Sequence, residues 1–323
     1  MRVVSVIVFN KDSGGNIQLR DYAQSLVELN DNYADISLFK NGLPAFRSFS
    51  RLLFYLLSSV FNSRLRIIYS DPILCLLEFL PGARLTRFVQ SIDHELYIGH
   101  PKLPTVVQKT LSRVIRICDK SGLNDIVVCS EMCAKYLSLV GRSVTFVKPT
   151  LRITVKSQKG KFLDYQNKIC SIMSNPDLKG IGLLVRIADA FPDKVFVLIS
   201  QKKPMCKLPE NVEHFIPSDR DDLFCVAASC AAHISCSEKE SLGLPIYEAM
   251  ALGLPSIFRV NQATKSLDKN KLLAFDGLDL NGINRIFQLI SDDTKLRRIL
   301  AHQEMILDTK FRMIISEERV SIG

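Results

Sequence analysis

The sequence lacks the features that mark several special classes of protein. It has no Trp, only 15 Gly and 13 Pro among 323 residues, and no CxxC pair among its nine cysteines. These absences exclude collagen-like, mucin-like and disulfide-scaffold chains, as well as zinc-ribbon and thioredoxin-type motifs. Hydrophobic residues make up 47% and charged residues 23% of the chain, so it is a packed protein rather than a disordered one.

Long apolar runs are missing as well. None approaches the roughly 18 residues that a membrane-spanning helix needs. The first run, Val3–Phe9, is too short for a signal peptide and is more typical of a buried strand. Several cysteines lie inside apolar runs, which indicates buried, reduced thiols and favours a cytoplasmic location.

Positive charge is in excess and is concentrated in one region. Lys and Arg number 42 against 33 acidic residues, for a net charge of +9, and residues 101–163 carry twelve of these cations against three acids. Such an excess indicates an anionic partner, which could be nucleotide phosphate, lipid phosphate or nucleic acid. Nucleic acid is not expected, because the chain shows no recognisable nucleic-acid-binding module.

A second basic stretch has the pattern of an amphipathic helix over Phe46–Phe61. Its apolar positions are Phe46, Phe49, Leu53, Leu56, Leu57 and Val60, and another face carries Arg47, Arg51, Tyr55 and Ser58. One interpretation is a helix that lies on an anionic membrane surface. The other is a helix that packs on the core and exposes a solvated basic face.

Short β-branched runs alternate with helical patterns along the whole chain. The predicted strands are Val3–Phe9, Ala34–Phe39, Arg66–Tyr69, Arg87–Ile92, Asp125–Cys129, Val144–Val147, Lys168–Met173, Val195–Ser200, Val212–Ile216, Ala232–Cys236 and Ser256–Val260. The predicted helices include Asn16–Leu29, Pro72–Leu80, Leu103–Cys118, Glu131–Leu139, Ile181–Phe191, Asp221–Ser229, Leu244–Leu252 and Gly282–Ser291. This α/β alternation predicts two Rossmann-like, doubly wound parallel-sheet domains that face each other across a cleft.

The domain boundaries follow from a polar, basic stretch near the middle of the chain. We expect a first domain over residues 1–150, a linker over 151–166 and a second domain over 167–300. A helical tail over 301–323 could return to the first domain. Ligands of such sheets bind beyond the carboxyl ends of the strands, which makes the cleft the expected site.

The most informative segment runs from Ser237 to Pro255, where a strand ends, a Gly-containing loop follows and a helix begins. Pro245 in the first helical turn and Gly253 after the last turn are typical of a helix start and a helix end. Such a loop presents backbone N–H groups and the positive end of a helix dipole to a phosphate group. Glu248 lies too far inside the helix to cap it and is free to meet a pair of ligand hydroxyl groups.

This segment resembles the signature of retaining glycosyltransferases with the GT-B fold, most closely family 4. Glu240 and Glu248 have the E-x7-E spacing of that family, and the surrounding run is similar to S-x-x-E-G-F-G-L-P-x-x-E-A-M-A-x-G-x-P. Ser241 and Leu242 depart from the signature, in which Gly and Phe are common. The alternative is an ordinary strand-to-helix turn with two surface glutamates.

The resemblance implies a role for each residue of the segment. Glu240 would be catalytic and lie near the donor sugar, and Glu248 would bind the nucleotide ribose. Backbone N–H groups for the diphosphate or the sugar would come from Ser241, Leu242, Gly243 and Leu244. The family needs no metal, because helix ends and basic side chains neutralise the diphosphate, so neither a metal nor another cofactor is expected.

A second loop of the same resemblance, Met173–Gly180, follows the first strand of the second domain. In the family this loop carries an Arg and a Lys that hold the donor phosphates. Lys179 and Gly180 match, whereas Ser174 stands at the Arg position. Ser174 and Asn175 could bind phosphate as neutral groups, or another basic residue could substitute. The alternative for Lys179 is a surface lysine near a helix start.

Two loops of the first domain could also face the donor. Gly14 and Gly15 follow the first strand and allow a tight turn, and family members often carry a Gly-Gly loop here that faces the diphosphate. Asp93 and His94 follow a mid-domain strand, where relatives often place a catalytic His or acid. His94 is otherwise a solvated loop residue.

The resemblance therefore implies an enzyme that moves a sugar from a nucleotide-diphosphate sugar to a saccharide or lipid-linked acceptor, in O-antigen- or capsule-type polysaccharide synthesis. The basic regions predict peripheral contact with an anionic membrane at the inner face of the cell membrane. The alternative is a catalytically degenerate GT-B subunit that regulates a partner transferase, which the missing Arg at Ser174 favours. A GT-B epimerase acting on a nucleotide sugar is a minor third possibility.

Overall fold

The computed structural model divides the chain into two compact units, Met1–Pro149 and Thr150–Gly323. The residues that it describes are 2–9, 14–26, 33–40, 43–44, 46–62, 64–70, 74, 77, 79, 84–89, 104–122, 125–156, 167–240, 242–265, 267 and 272–318.

The first unit is built on a seven-stranded sheet. Its strands are β1 (Arg2–Phe9), β2 (Tyr33–Lys40), β3 (Leu43–Pro44), β4 (Leu65–Tyr69), β5 (Leu85–Val89), β6 (Asp125–Val128) and β7 (Thr145–Phe146). Its helices are α1 (Gly14–Ser25), α2 (Phe46–Phe61), α3 (Thr105–Ser121) and α4 (Glu131–Leu139). The strand order is β3-β2-β1-β4-β5-β6-β7, and every neighbouring pair is parallel except β2–β3.

A buried ionic group joins this sheet to two helices. Arg87 of β5 lies inside the unit, and its Nη1 atom donates to Oδ1 of Asp119 in α3 at 3.0 Å. The hydroxyl of Tyr136 in α4 donates to the other oxygen of Asp119 at 3.0 Å. Asp119 therefore neutralises a charge that would otherwise be costly to bury.

Helix α2 has the predicted bounds but not the predicted packing. Leu52, Tyr55 and Ser59 face the sheet and are buried, so Tyr55 belongs to the core rather than to the basic face. The large apolar side chains that remain exposed on this helix are Phe49, Leu53, Phe54, Leu57, Val60 and Phe61. Neither interpretation of the sequence pattern is complete, because the helix has a core face, an exposed apolar face and a basic edge.

The second unit is built on a six-stranded, entirely parallel sheet. Its strands are β9 (Ile169–Ile172), β10 (Phe196–Ile199), β11 (Val212–Phe215), β12 (Ala232–Ser235), β13 (Ser256–Arg259) and β14 (Ala274–Phe275), in the order β11-β10-β9-β12-β13-β14. Its helices are α5 (Ile181–Ala190), α6 (Arg220–Ala228), α7 (Leu244–Ala251), α8 (Leu280–Ile290) and α9 (Asp293–Lys310). Both sheets have the strand order of doubly wound Rossmann-like domains, which confirms the prediction of two such α/β domains.

A separate two-stranded sheet corrects the predicted linker and tail. The strand β8 (Thr150–Lys156) lies in the stretch expected to be a linker, and it pairs in parallel with β15 (Arg312–Glu318). Leu151 and Ile153 are buried in the core of the second unit, and their alternation with polar residues was a strand signal that the basic composition obscured. The tail is accordingly helical only to Lys310 and continues as a strand.

The predicted helix at Pro72–Leu80 lies mostly outside the described residues. Among the described helices, none is long and apolar enough to cross a membrane. Seven of the eight described cysteines are buried, and all eight are free thiols.

Candidate functional site

The two motif loops meet at the point where the strand order of the second sheet reverses. One loop follows β9 and leads to α5, and the other follows the neighbouring strand β12 and leads to α7. Parallel strands end at the same edge of a sheet, so the loops after β9 and β12 lie side by side. This switch point is where open α/β sheets bind their ligands.

Gly180 allows the two loops to approach closely. Its φ of +90° lies in the left-handed region, and a Cβ atom at this position would stand 2.3 Å from the carbonyl oxygen of Cys236. No other residue type fits both conditions without displacing backbone. The Lys179–Gly180 pair is therefore explained physically, because Gly180 seats the β9 loop against the end of β12.

Lys179 and Glu240 form an ion pair across this junction. The Nζ atom of Lys179 donates to Oε1 of Glu240 at 2.8 Å. Glu240 keeps only 13% of its side chain exposed, whereas Lys179 keeps 31%. The sequence-predicted phosphate ligand and the sequence-predicted catalytic acid are thus brought together, and they neutralise each other in this structure.

The loop that carries Glu240 is held by residues that the sequence analysis did not single out. Asn261, after β13, donates from Nδ2 to the carbonyl oxygen of Ser237 at 3.0 Å. Its own side-chain oxygen accepts from the backbone N–H of Ala263 at 2.9 Å and of Thr264 at 3.1 Å. An Asn directly after a strand, in a turn, is the signal that could have identified it.

The start of α7 matches the predicted strand–loop–helix arrangement. Gly243 is the N-cap residue with a φ of +75°, and Pro245 lies in the first turn. No side chain caps this end. Pro245 has no N–H, and the N–H of Ile246 donates to the carbonyl oxygen of Gly243 at 3.0 Å. The first turn therefore presents the N–H of Leu244 and the positive dipole end to an anion.

Glu248 is buried in α7 and pairs with one charged side chain. Its Oε1 atom accepts a hydrogen bond from Nη2 of Arg220, the first residue of α6. The Arg220 guanidinium also lies over the ring of Phe224, 4.9 Å from its centroid. Burial raises the pKa of Glu248, and the positive charge of Arg220 opposes that rise.

The remaining predicted residues are only partly placed. Asn175 accepts backbone hydrogen bonds from Leu178 and Lys179 at 3.1 and 3.0 Å, and Ser174 is exposed beside it. Gly14 and Gly15 are the first two residues of α1. Asp93, His94 and Ser241 lie outside the described residues.

Acidic clusters are the groups that could hold a metal ion. The sequence contains one Asp-x-Asp run, Asp219–Asp221, but Asp219 caps α6 by accepting from the backbone N–H of Asp222 at 2.8 Å. Within the described part of the chain, no group of three or more His, Cys, Asp or Glu residues could hold a metal ion.

Comparison with known proteins rests on structure. No protein-family model and no curated protein matches the sequence. Sucrose-phosphate synthase from Thermosynechococcus elongatus matches with a TM-score of 0.70 at 14% identity, over 97% of this chain and 95% of that one. Anabaena HepE in complex with UDP-glucose matches with a TM-score of 0.73 at 14% identity, over 96% and 95%. WaaG, a glycosyltransferase involved in lipopolysaccharide biosynthesis, matches with a TM-score of 0.66 at 10% identity, over 95% of each chain.

These similarities define the class of fold. They extend over nearly the whole length of both partners and include both Rossmann-like domains. The chain therefore has the GT-B fold of these glycosyltransferases.

Proposed function

We propose that this protein is a glycosyltransferase that uses a nucleotide-diphosphate sugar as donor. The observation that carries the proposal is the junction at the switch point of the second sheet. There Lys179, Glu240 and the uncapped start of α7 lie on the two loops that follow β9 and β12. A similar GT-B structure contains UDP-glucose, so UDP-sugars are the first donors to test.

The chemistry of sugar transfer suits these groups. Departure of a nucleoside diphosphate places negative charge on the leaving phosphate, and fixed dipoles and cations stabilise that charge. Lys179, the N–H of Leu244 and the positive dipole end of α7 would supply this stabilisation without a metal. Binding of the diphosphate would draw Lys179 away from Glu240, whose carboxylate would then accept hydrogen bonds from the sugar hydroxyls.

Glu248 would bind the ribose of the donor. A buried carboxylate that keeps its charge is a strong acceptor for a pair of hydroxyl groups. Arg220 opposes its protonation and occupies only Oε1, so the second oxygen remains for the donor. The roles of Ser174, Asn175, Leu242, Leu244, Gly14, Gly15, Ser241, Asp93 and His94 stay predictions.

The finer features of the proposal come from the sequence resemblance. They are membership of family 4, retention of the anomeric configuration, a saccharide or lipid-linked acceptor and a place in surface-polysaccharide synthesis. We also propose that the protein works in the cytoplasm, at the inner face of the cell membrane.

A second candidate is a degenerate GT-B subunit that binds and regulates a transferase. The observation that favours it is Ser174, an exposed neutral residue at the position where the family resemblance implies an Arg. Arg220 pairs with Glu248, so this cation lies beside the residue that we propose for binding the ribose.

The test is sugar release and transfer from a panel of nucleotide-diphosphate sugars, with and without a metal chelator. The anomeric configuration of the product would be read by NMR. We expect activity with one donor, unchanged by chelation, and a loss of about 100-fold or more in kcat for Glu240→Gln. Glu238→Gln is the matched control, because this neighbouring acid is 71% exposed in its side chain. Donor binding without turnover, equal in Glu240→Gln and wild type, would favour the degenerate subunit.

A further inference from the structure

Helix α2 in the first unit exposes an apolar face to solvent. Leu53, Phe54, Leu57 and Phe61 are exposed by 59%, 65%, 58% and 88%, respectively. The opposite face, with Leu52, packs on the sheet and is buried. The exposure is therefore not the result of a poorly packed helix, because a complete core face already exists.

The exposed side chains form one contiguous strip. At about 100° per residue, Val60, Leu53, Leu57, Phe61 and Phe54 fall in that order within an arc of about 120°. Scattered single apolar residues are normal on a surface, whereas a contiguous strip of large ones marks an interaction site. The strip runs from Leu53, near the middle of the helix, to its last residue, Phe61.

One edge of the strip is basic. Arg47 and Arg51 are exposed and lie beside Phe54 on the same helical projection. The sequence contains no Asp or Glu between Asp35 and Asp71, although five cations occur in that interval. An exposed apolar strip with cations and no acid along one edge complements a surface that is apolar inside and anionic outside.

We propose that α2 is a membrane-docking helix that inserts its apolar strip into an anionic phospholipid bilayer. Side chains of Phe and Leu would enter the boundary between head groups and acyl chains, and Arg47 and Arg51 would contact lipid phosphate. A second copy of the chain is a poorer occupant, because α2 has no Asp or Glu that could pair with Arg47 and Arg51 of another copy. The proposal rests on the proposed location at the membrane and names the surface that would dock there, and it does not require the donor site.

The absence of Trp from the sequence permits a direct test. Phe54→Trp creates a single fluorophore on the strip, and Phe146→Trp creates one at a half-exposed position of β7 in the same unit. The full-length variants would be titrated with vesicles of phosphatidylcholine alone and with vesicles that contain phosphatidylglycerol. We expect a blue shift, and quenching by brominated acyl chains, only for Phe54→Trp and only with anionic vesicles.

Vesicle co-sedimentation measures the contribution of each part of the surface. We expect the triple variant Leu53→Gln, Leu57→Gln and Phe61→Gln to bind anionic vesicles more weakly by a factor of about ten or greater. Its control replaces three other exposed apolar residues, Leu139, Met205 and Met305, with Gln. Arg47→Gln with Arg51→Gln should weaken binding about thirtyfold at low salt, and Arg297→Gln with Arg298→Gln in α9 should not.

Several results would overturn the proposal. They are equal binding of neutral and anionic vesicles, an equal loss of vesicle binding in the triple variant and its control, or no change in the fluorescence of Phe54→Trp when vesicles are added. A wild-type dimer that becomes a monomer in the triple variant would assign the strip to a second copy. Calorimetric titration with UDP on the same samples keeps the two proposals apart, because failure to bind vesicles leaves nucleotide binding intact and the reverse also holds.

Discussion

At the scale of single residues, the contact between Arg220 and Glu248 makes a prediction about pH. The folded structure raises the pKa of Glu248 through burial, and Arg220 opposes that rise. Removing the guanidinium in Arg220→Gln should raise this pKa further, so that the carboxylate takes up a proton at higher pH. Nucleotide affinity should therefore weaken as the pH falls, with a midpoint at higher pH in the variant than in wild type.

A double-mutant cycle shows whether Arg220 acts through Glu248. If Arg220 only positions and charges the carboxylate, Arg220→Gln should cost little in a Glu248→Gln background. Additive losses, or losses that are larger for a nucleoside diphosphate than for the nucleoside, would mean instead that Arg220 binds the phosphates itself. Isothermal titration calorimetry from pH 5 to pH 8 measures the pH dependence of nucleotide affinity and the affinities of the double-mutant cycle.

His233 makes a second prediction at this scale, on stability. It lies fully buried in β12, where burial lowers its pKa to about 3 from an ordinary value of 6.5. Between those values the unfolded chain binds a proton that the folded chain does not. The free energy of unfolding should therefore fall as the pH falls from about 6.5, by about 2 kcal/mol at pH 5.

The measurement is urea unfolding of wild type and His233→Leu between pH 7 and pH 5. The variant should lose this part of the pH dependence, whereas the control His302→Gln, at an exposed position of α9, should keep it. Identical slopes for wild type and His233→Leu would contradict the assignment.

At the scale of elements, the buried group of Arg87, Asp119 and Tyr136 should matter more than surface ion pairs. Asp119→Asn removes the carboxylate that neutralises Arg87, and we expect a loss of about 3–5 kcal/mol in the free energy of unfolding. Tyr136→Phe removes one hydrogen bond and should cost about 1 kcal/mol.

The control for this prediction is Glu213→Gln. It breaks the ion pair with Lys168 at 2.7 Å, in which Glu213 is 46% exposed. Such a pair should contribute less than about 1 kcal/mol. If chemical denaturation shows that Asp119→Asn loses no more free energy of unfolding than Glu213→Gln does, this account of the buried group is refuted.

Some elements were predictable from the sequence and others were not, for local reasons. Helix α4 has the predicted bounds, Glu131–Leu139, because its apolar residues have helical spacing within the segment itself. The strand β8 was not predicted, because two of its four polar positions, Arg152 and Lys156, are basic and because its partner, β15, lies more than 150 residues away in the sequence. Pairing over such a distance leaves no local signal.

The candidate site shows the same division. The Met173–Gly180 loop, Glu240 and Glu248 could be singled out from spacing, because backbone geometry demands Gly180 and Gly243 at fixed positions. Asn261 had a local turn signal, but its contact with Ser237 did not, and Arg220 had none, since only the folded sheet brings these residues to their partners. The face of α2 that packs on the core was likewise undetermined, because apolar residues surround two-thirds of the helix.

At the scale of the whole molecule, the chain has two Rossmann-like units and the fold of known GT-B glycosyltransferases. This fold narrows the candidate functions but does not identify a donor. The central claim is that the second unit binds a nucleotide-diphosphate sugar through Glu248, Lys179 and the start of α7. A GT-B fold alone does not establish this, because fold and function are separate properties.

The most direct measurement is thermal stabilisation of wild type, Glu248→Ala and Glu304→Ala by UDP, GDP, ADP, CMP and their sugars. A ligand at 100 times its dissociation constant adds about 2.7 kcal/mol to the free energy of unfolding. We predict a clear rise in melting temperature with one nucleotide and its sugar for wild type and for the exposed control Glu304→Ala, and its loss in Glu248→Ala. No shift with any nucleotide, or an equal shift in Glu248→Ala, would contradict the claim.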